Sequence, residues 1–181
     1  MVRREYRLHD ALRRGFLEEQ GFDFVFIDCP PSLGLITINA MTAVDEVLIP
    51  IQCEYYALEG VGQLLGNISM IREHLNHNLH ISGVLLTMYD ARTRLASDVA
   101  DEVRNQFGEV VLKNVIPRSV KVSEAPGFGQ TVIEYDPTSR GAMAYFDAAK
   151  EFSERGDYQP HETTGPIGVS PEVYAQLEGE N

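Results

Sequence analysis

The sequence predicts an α/β fold in which a mainly parallel sheet is flanked by helices. Short apolar runs rich in β-branched and aromatic residues, typical of strands that are covered on both faces, alternate with longer segments of helical periodicity. These runs span residues 22–28, 47–51, 81–87 and 110–116. Short strands that alternate with helices imply βαβ crossovers, which join parallel strands.

The helices are predicted from apolar positions that recur every three or four residues. They cover residues 3–20, 58–75, 95–107 and 142–154, and a further helix is expected to begin near residue 35. In the helix over 95–107, the apolar side chains predicted to face the core are Leu95, Val99, Val103 and Phe107. Each helix therefore has one apolar face to pack against the sheet.

The composition is that of an ordinary globular domain, with 44% hydrophobic and 23% charged residues among 181. No segment approaches the ~18 uninterrupted apolar residues of a membrane helix, and the two cysteines suit a reducing compartment. We therefore expect a cytoplasmic protein without a membrane contact, with one domain over residues 1–155. Residues 156–181 are acidic and contain Pro and Gly, which predicts a C-terminal tail.

The charge distribution limits how the protein meets nucleic acid. The net charge of -12 argues against a surface that binds nucleic acid everywhere. However, residues 92–121 contain six Lys or Arg against four Asp or Glu. A locally basic face on an acidic protein remains open at this stage.

The ends of the predicted strands are where ligands bind in open parallel sheets. The first strand ends at Asp28, and Pro30 and Pro31 fix the direction of the loop that follows. A carboxylate at this position can hold Mg²⁺ through a water molecule beside nucleotide phosphates. It can equally cap the helix that begins near residue 35. The local pattern does not distinguish the two.

Several motifs in a fixed order follow the strands. They read Asp-x-Pro-Pro-Ser from Asp28, Gln-Cys-Glu-Tyr-Tyr-Ala-Leu-Glu-Gly from Gln52, Thr-Met-Tyr-Asp-x-Arg-Thr from Thr87, Ile-Pro-Arg from Ile116 and Glu-Ala-Pro-x-Phe-Gly from Glu124. Over roughly residues 5–153, this series closely resembles the ParA (Soj-like) partition ATPases of chromosomes and plasmids. Several ordered motifs are more specific than any one of them.

The resemblance implies a deviant-Walker P-loop NTPase fold of the SIMIBI type, with ATP and Mg²⁺ as cofactors. Such proteins hold ATP between the two subunits of a homodimer and bind DNA non-specifically in that state. A ParB-type centromere-binding partner then stimulates hydrolysis and releases them. The resemblance therefore implies a nucleoid-associated protein that segregates DNA.

The resemblance also assigns roles by position. Asp28 matches the Walker B aspartate, which is catalytic and holds Mg²⁺, and Pro30 and Pro31 match the switch loop after it. The nucleotide-binding positions near the base are Thr87, Met88, Asp90, Pro117 and Arg118. The DNA-binding positions are Arg92 and Lys121, and many relatives carry Arg at the second of these. Without the family, Arg92 and Lys121 would be taken for solvated surface charges.

The phosphate-binding loop of such an ATPase requires glycines and a Gly-Lys-Ser/Thr sequence. The chain contains three lysines, Lys113, Lys121 and Lys150, and none follows Gly or precedes Ser or Thr. In the family the loop lies well over a hundred residues before the Asp-x-Pro-Pro strand, whereas 27 residues precede Asp28 here. We therefore expect an N-terminally incomplete NTPase domain that lacks ATPase activity by itself.

Two other functions are weighed against this one. A MinD-like ATPase attaches to membranes through a basic amphipathic C-terminal helix, and the acidic tail contradicts that interpretation. A catalytically inactive ParA-like binding module would pair with another subunit without hydrolysing ATP. His74, His77 and His80 lie three residues apart, but the neighbouring asparagines favour a polar turn over a zinc site.

Overall fold

The computed structural model describes residues 3–12, 22, 24–30, 32, 34–57 and 59–155. The strands are β1 (Glu46–Gln52) and β2 (His80–Thr87). The helices are α1 (Arg7–Leu12), α2 (Leu35–Ala43), α3 (Glu59–His74), α4 (Arg94–Phe107), α5 (Val120–Glu124), α6 (Val132–Tyr135) and α7 (Arg140–Glu154). Single 3₁₀ turns span Arg4–Tyr6, Tyr55–Ala57, Gly108–Val110 and Ala125–Phe128.

The sheet is built on a parallel pair of strands. β1 and β2 pair from Glu46 opposite His80 to Gln52 opposite Thr87, with one irregularity between Val47 and Leu48. Parallel strands need a long crossover, and α3 provides it. The predicted strands over 47–51 and 81–87 and the predicted helix over 58–75 are confirmed.

Helices pack against both faces of the sheet. Because side chains alternate along each strand, neighbouring strand residues belong to different apolar clusters. Ile49, Ile51 and Val84 belong to the main core, together with buried residues of α3 and α4. Leu48 and Leu85 point to the other side, into a second cluster with residues of α7. The chain is therefore an α/β structure with a parallel sheet flanked by helices, as the sequence predicts.

The predicted strand over 110–116 lies beside β2 only in part. Leu112 N–H donates to Val84 C=O at 2.9 Å, and Ile116 N–H donates to Leu86 C=O at 2.8 Å. Between them, the backbone N–H groups of Lys113 and Asn114 donate to the Glu151 carboxylate of α7 instead. The ladder is therefore reduced to isolated parallel bridges, at 84–111 and 89–117.

The predicted buried strand over 22–28 is wrong for the residues that the structure describes. Residues 22 and 24–28 form no strand, and Phe22, Phe24 and Phe26 are 57 to 71% exposed. The reason is that an apolar run becomes a strand only beside another strand with free N–H and C=O groups. No backbone hydrogen bond joins this run to the sheet within the described residues.

The remaining helix predictions differ from the structure in detail. α1 ends at Leu12, and residues 13–20 of the predicted first helix lie outside the described residues. In α4 the buried face is formed by Ala96, Val99, Ala100, Val103 and Phe107, while Leu95 is half exposed. The predicted tail over 156–181 also lies outside the described residues. No described helix is long and apolar enough to cross a membrane.

Gly83 allows β2 to approach the side chains on the α7 face of the sheet. A Cβ atom there would lie 2.9 Å from Leu112 Cδ1 and from Leu48 Cδ1, and 3.2 Å from Phe152 Cε2. Gly83→Val should therefore lower the free energy of unfolding by about 1–3 kcal/mol through overpacking. Urea denaturation measures this change. Gly66→Val in α3 is the matched control, since a Cβ there meets nothing within 4 Å, and an equal loss in both variants would contradict the prediction.

Glu151 is the acceptor that holds the broken strand against α7. Burial would raise its pKa, but the N–H donors of Lys113 and Asn114 and the Arg155 charge outweigh burial and lower it. A lowered folded-state pKa gives stability that is present above the ordinary value of about 4.3 and is lost at lower pH. Glu151→Gln should therefore cost about 1–3 kcal/mol at neutral pH, and this difference should shrink below about pH 4.

Chemical denaturation at a series of pH values tests this behaviour. Glu154→Gln, on the same helix and in loose contact with Lys150 at 4.0 Å, is the control. It should unfold like the wild type to within about 0.5 kcal/mol. A cost of Glu151→Gln that does not change with pH would show that the carboxylate charge plays no part.

Candidate functional site

A cavity of about 1020 Å³ opens at the carboxyl edge of the sheet. Its walls come from the end of β1, the turn after it, the first turns of α3 and α4, and the loop after β2. The lining is largely apolar and aromatic, with four charged side chains, Glu54, Asp90, Arg92 and Arg118. Ligand pockets in proteins have this size and this mixture of surfaces.

Backbone hydrogen bonds join the two loops that the sequence assigns to the nucleotide base. Tyr89 N–H donates to Ile116 C=O at 3.0 Å, and Arg118 N–H donates to Tyr89 C=O at 2.9 Å. Although 30 residues lie between Thr87 and Arg118 in the chain, their loops are adjacent because each follows one strand position of a parallel sheet. Met88, Asp90 and Arg118 line the cavity.

Thr87 and Pro117 support this edge without lining the cavity. Thr87 C=O accepts a hydrogen bond from Cys53 N–H at 2.8 Å, which fixes the turn after β1 to the end of β2. Pro117 forms the bridge opposite Tyr89. Of the five predicted base-side positions, three therefore reach the cavity and two hold its rim.

Met88 has an unusual backbone conformation where the chain leaves β2. Its φ is +54°, in the left-handed region that costs a residue with a Cβ roughly 1–2 kcal/mol. The next residue, Tyr89, is held on both sides by the bonds to Ile116 and Arg118, so the surrounding structure enforces the turn. Strain of this kind is concentrated at ligand sites.

The charged side chains at the cavity form two ion pairs. Arg118 donates from Nη2 to Glu54 Oε1. Arg92 donates to Asp90 twice, from Nε at 2.9 Å and from Nη2 at 2.7 Å, and its backbone N–H donates to the same carboxylate at 3.1 Å. These hydrogen bonds from Arg92 lower the pKa of Asp90 to about 2, so Asp90 is ionised at neutral pH.

The turn after β1 contributes cavity residues for which the sequence predicts no role. Glu54, Tyr55 and Tyr56 line the cavity, and the two rings meet edge to face at 5.3 Å between centroids. Both rings are more than 70% exposed, so they offer aromatic surface at the cavity mouth. Their position at the end of β1 was the available signal, because ligands bind where parallel strands end.

Lys121, the second predicted DNA-binding residue, lies on α5 and does not line the cavity. Its Nζ is 3.0 Å from Glu124 Oε2 and 5.4 Å from the centre of the Tyr135 ring. The hydrogen bond to Glu124 raises the pKa of Lys121, and Glu124 also accepts from the Tyr135 hydroxyl. Arg92 differs from Lys121 because it is 86% exposed and also lines the cavity.

Asp28, the predicted Mg²⁺ ligand, is exposed and makes no hydrogen bond or ion pair with another described residue. Pro30 is exposed as well, and Pro31 lies outside the described residues. The structure therefore does not bring Asp28 into contact with the base-side loops. A free carboxylate suits Mg²⁺, which keeps several waters and takes one or two protein carboxylates.

The cavity fits a nucleotide in part. Apolar and aromatic walls with a few charged groups suit the base. Phosphates need a cradle of glycine N–H groups with a lysine, and the sequence of this chain contains no such motif. No group of three or more His, Cys, Asp or Glu side chains among the described residues could hold a metal ion.

Comparisons with known proteins show which proteins this chain is similar to. A family model described as an AAA domain matches residues 1–81. The sporulation initiation inhibitor protein Soj of Bacillus subtilis is 55% identical over 155 residues, which are 86% of this chain and 60% of that protein. The chain is homologous to the ParA/Soj partitioning ATPases.

A second ParA/Soj relative is the chromosome partitioning protein ParA of Myxococcus xanthus. It is 48% identical over 152 residues, which are 84% of this chain and 53% of that protein. This ParA/Soj homologue thus spans between 53 and 60% of the length of these two relatives.

Solved structures agree with the fold. Cobyrinic acid a,c-diamide synthase from Mycobacterium smegmatis, with bound ADP and magnesium, is 36% identical with a TM-score of 0.68, over 87% of this chain and 56% of that one. The cell division ATPase MinD of Pyrococcus furiosus is 27% identical with a TM-score of 0.64, over 83% and 58% of the two chains. The ParA/Soj homologue therefore has the α/β fold of P-loop ATPases.

Proposed function

We propose that this chain provides the base-side and DNA-side loops of an ATP-dependent partitioning protein for a chromosome or plasmid. The observation that carries the proposal is the cavity at the carboxyl edge of the sheet, lined by Met88, Asp90, Arg92 and Arg118 among others. In the working protein, ATP and Mg²⁺ bind between two subunits, and the dimer binds DNA without sequence preference. A ParB-type partner releases it by stimulating hydrolysis.

The base of ATP would enter between Met88 and the tyrosines Tyr55 and Tyr56. Arg118 and Asp90 supply a donor and an acceptor at this wall, and Thr87 and Pro117 hold the loops that carry them. The homologous synthase of Mycobacterium smegmatis, whose structure contains ADP and magnesium, supports a nucleotide as the ligand. A few polar groups on apolar walls fix the orientation of a ligand.

DNA would be bound through phosphates by Arg92 and Lys121, with a matching pair from the second subunit. Such contacts give affinity without sequence information and make binding depend on salt. The basic residues 92–121 in an otherwise acidic chain support this face. The protein would accordingly act in the cytoplasm, on the nucleoid.

Asp28 would hold Mg²⁺ through water next to the phosphates, at the start of the switch loop with Pro30 and Pro31. The metal would neutralise charge that develops on the phosphates during hydrolysis. These 181 residues contain no Gly-Lys-Ser/Thr loop, so they are not expected to hydrolyse ATP alone. A binding module without hydrolysis is the competing function, and measuring whether the full-length gene product both binds and turns over Mg-ATP distinguishes the two.

Asp28→Ala should reduce Mg²⁺-dependent ATP hydrolysis by the full-length gene product to the background rate, because the metal loses its protein carboxylate. Steady-state phosphate release with saturating DNA and partner measures it. Asp98→Ala, which removes an exposed carboxylate from α4, is the control and should leave the rate unchanged. Normal turnover of Asp28→Ala would refute the magnesium role.

Arg92→Glu combined with Lys121→Glu should weaken ATP-dependent DNA binding and flatten its salt dependence, because phosphate contacts are lost. Fluorescence anisotropy with unrelated duplexes over a range of salt concentrations measures both effects. The control combines Arg140→Glu with Lys150→Glu, which changes the net charge equally on the exposed side of α7. If the two double variants bind DNA equally, the patch does not contact DNA.

A further inference from the structure

The bidentate pair between Asp90 and Arg92 connects two parts of the site that have separate proposed roles. Asp90 belongs to the base-side loop and Arg92 is the proposed DNA contact. Arg92 uses Nε, Nη2 and its backbone N–H on one carboxylate, at 2.7 to 3.1 Å. A guanidinium that is held this way presents fewer donors to a DNA phosphate.

The two residues differ in how much they are exposed. The Arg92 side chain is 86% exposed, whereas that of Asp90 is 19% exposed and lines the cavity. Both residues line the cavity, so a ligand there can reach Asp90 while most of the Arg92 side chain faces solvent. The Arg118 charge also acts on Asp90 and adds to the lowering of its pKa, so the carboxylate already has a second cation within reach.

We propose that Asp90 is a positioning residue that restrains Arg92 in the nucleotide-free protein and releases it to DNA when a nucleotide base occupies the cavity. This inference rests on the proposed function and adds the contact by which the base-side loop controls the DNA-side cation. The base competes with Arg92 for the Asp90 carboxylate. The freed guanidinium then reaches a phosphate.

The Lys121–Glu124 pair offers an internal comparison. It is also an ion pair between a proposed DNA contact and a nearby acid, here within α5, with Nζ and Oε2 3.0 Å apart. Neither residue lines the cavity. Glu124 should therefore weaken DNA binding equally with and without nucleotide. Only the effect of Asp90 on DNA binding should depend on the nucleotide.

The experiment measures the DNA affinity of the full-length gene product with and without saturating Mg-ATP. Asp90→Asn is compared with Glu154→Gln, which removes one negative charge from an ion pair on α7. The Asn side-chain oxygen can still accept the hydrogen bond from the Arg92 backbone N–H, so the turn is kept. Without nucleotide, Asp90→Asn should bind DNA about two- to fivefold more tightly than Glu154→Gln, the fold-change expected for one ion pair.

Two further readouts separate release of Arg92 from a structural effect. The slope of log K against log salt should steepen by about one for Asp90→Asn, since one more phosphate is contacted. Adding Arg92→Gln to Asp90→Asn should remove the gain in DNA affinity. With Mg-ATP, the difference in DNA affinity between Asp90→Asn and Glu154→Gln should disappear. Glu124→Gln should bind DNA more tightly than Glu154→Gln both with and without Mg-ATP.

Equal affinities of Asp90→Asn and Glu154→Gln without nucleotide would overturn the inference, as would a gain that survives in Mg-ATP. Loss of the Glu124→Gln gain in Mg-ATP would also overturn it, because the nucleotide would then act on the whole face. Failure of the proposed function looks different: the wild type would bind no DNA at low salt, or would bind no ATP in a direct titration.

Discussion

The parallel ladder that runs from β1 through β2 to the bridge at Pro117 determines the rest of the structure. Its central strand β2 is buried on both faces, and the ladder brings the ends of three chain segments to one edge. The hydrogen bonds of Tyr89 to Ile116 and Arg118 continue this ladder beyond the last regular strand residue. Side chains distant in sequence therefore surround one cavity.

The third strand position of this ladder is irregular, because side chains near the end of α7 bind its backbone. Glu151 accepts hydrogen bonds from the N–H groups of Lys113 and Asn114, and Arg155 donates to the carbonyl groups of Val110 and Val111. Side chains at the C-terminal end of α7 are thus hydrogen-bonded to the backbone of residues 110–114, in addition to the apolar packing of α7 on the sheet. The chain reaches Pro117 in the correct register without a continuous strand.

At the cavity, charge is balanced by two ion pairs. Glu54 neutralises Arg118 and Asp90 neutralises Arg92, so the edge carries four charges with no net excess. A ligand that contacts one member of such a pair competes with that member's partner. Under the proposed function, exchange of the Asp90–Arg92 pair would be the physical route from a bound base to a cation on the surface.

The sequence by itself determined the fold class, the two paired strands and the main helices. It also contains the ordered strand-end motifs that resemble those of the ParA/Soj ATPases. Those features depend on local periodicity and on residues that stay adjacent in the chain. The tertiary structure decided which motif residues meet: Met88, Asp90 and Arg118 line the cavity with the unassigned Glu54, whereas the predicted strand before Asp28 does not form among the described residues. Strand pairing and the Glu54–Arg118 ion pair are non-local, so periodicity and spacing could not specify them.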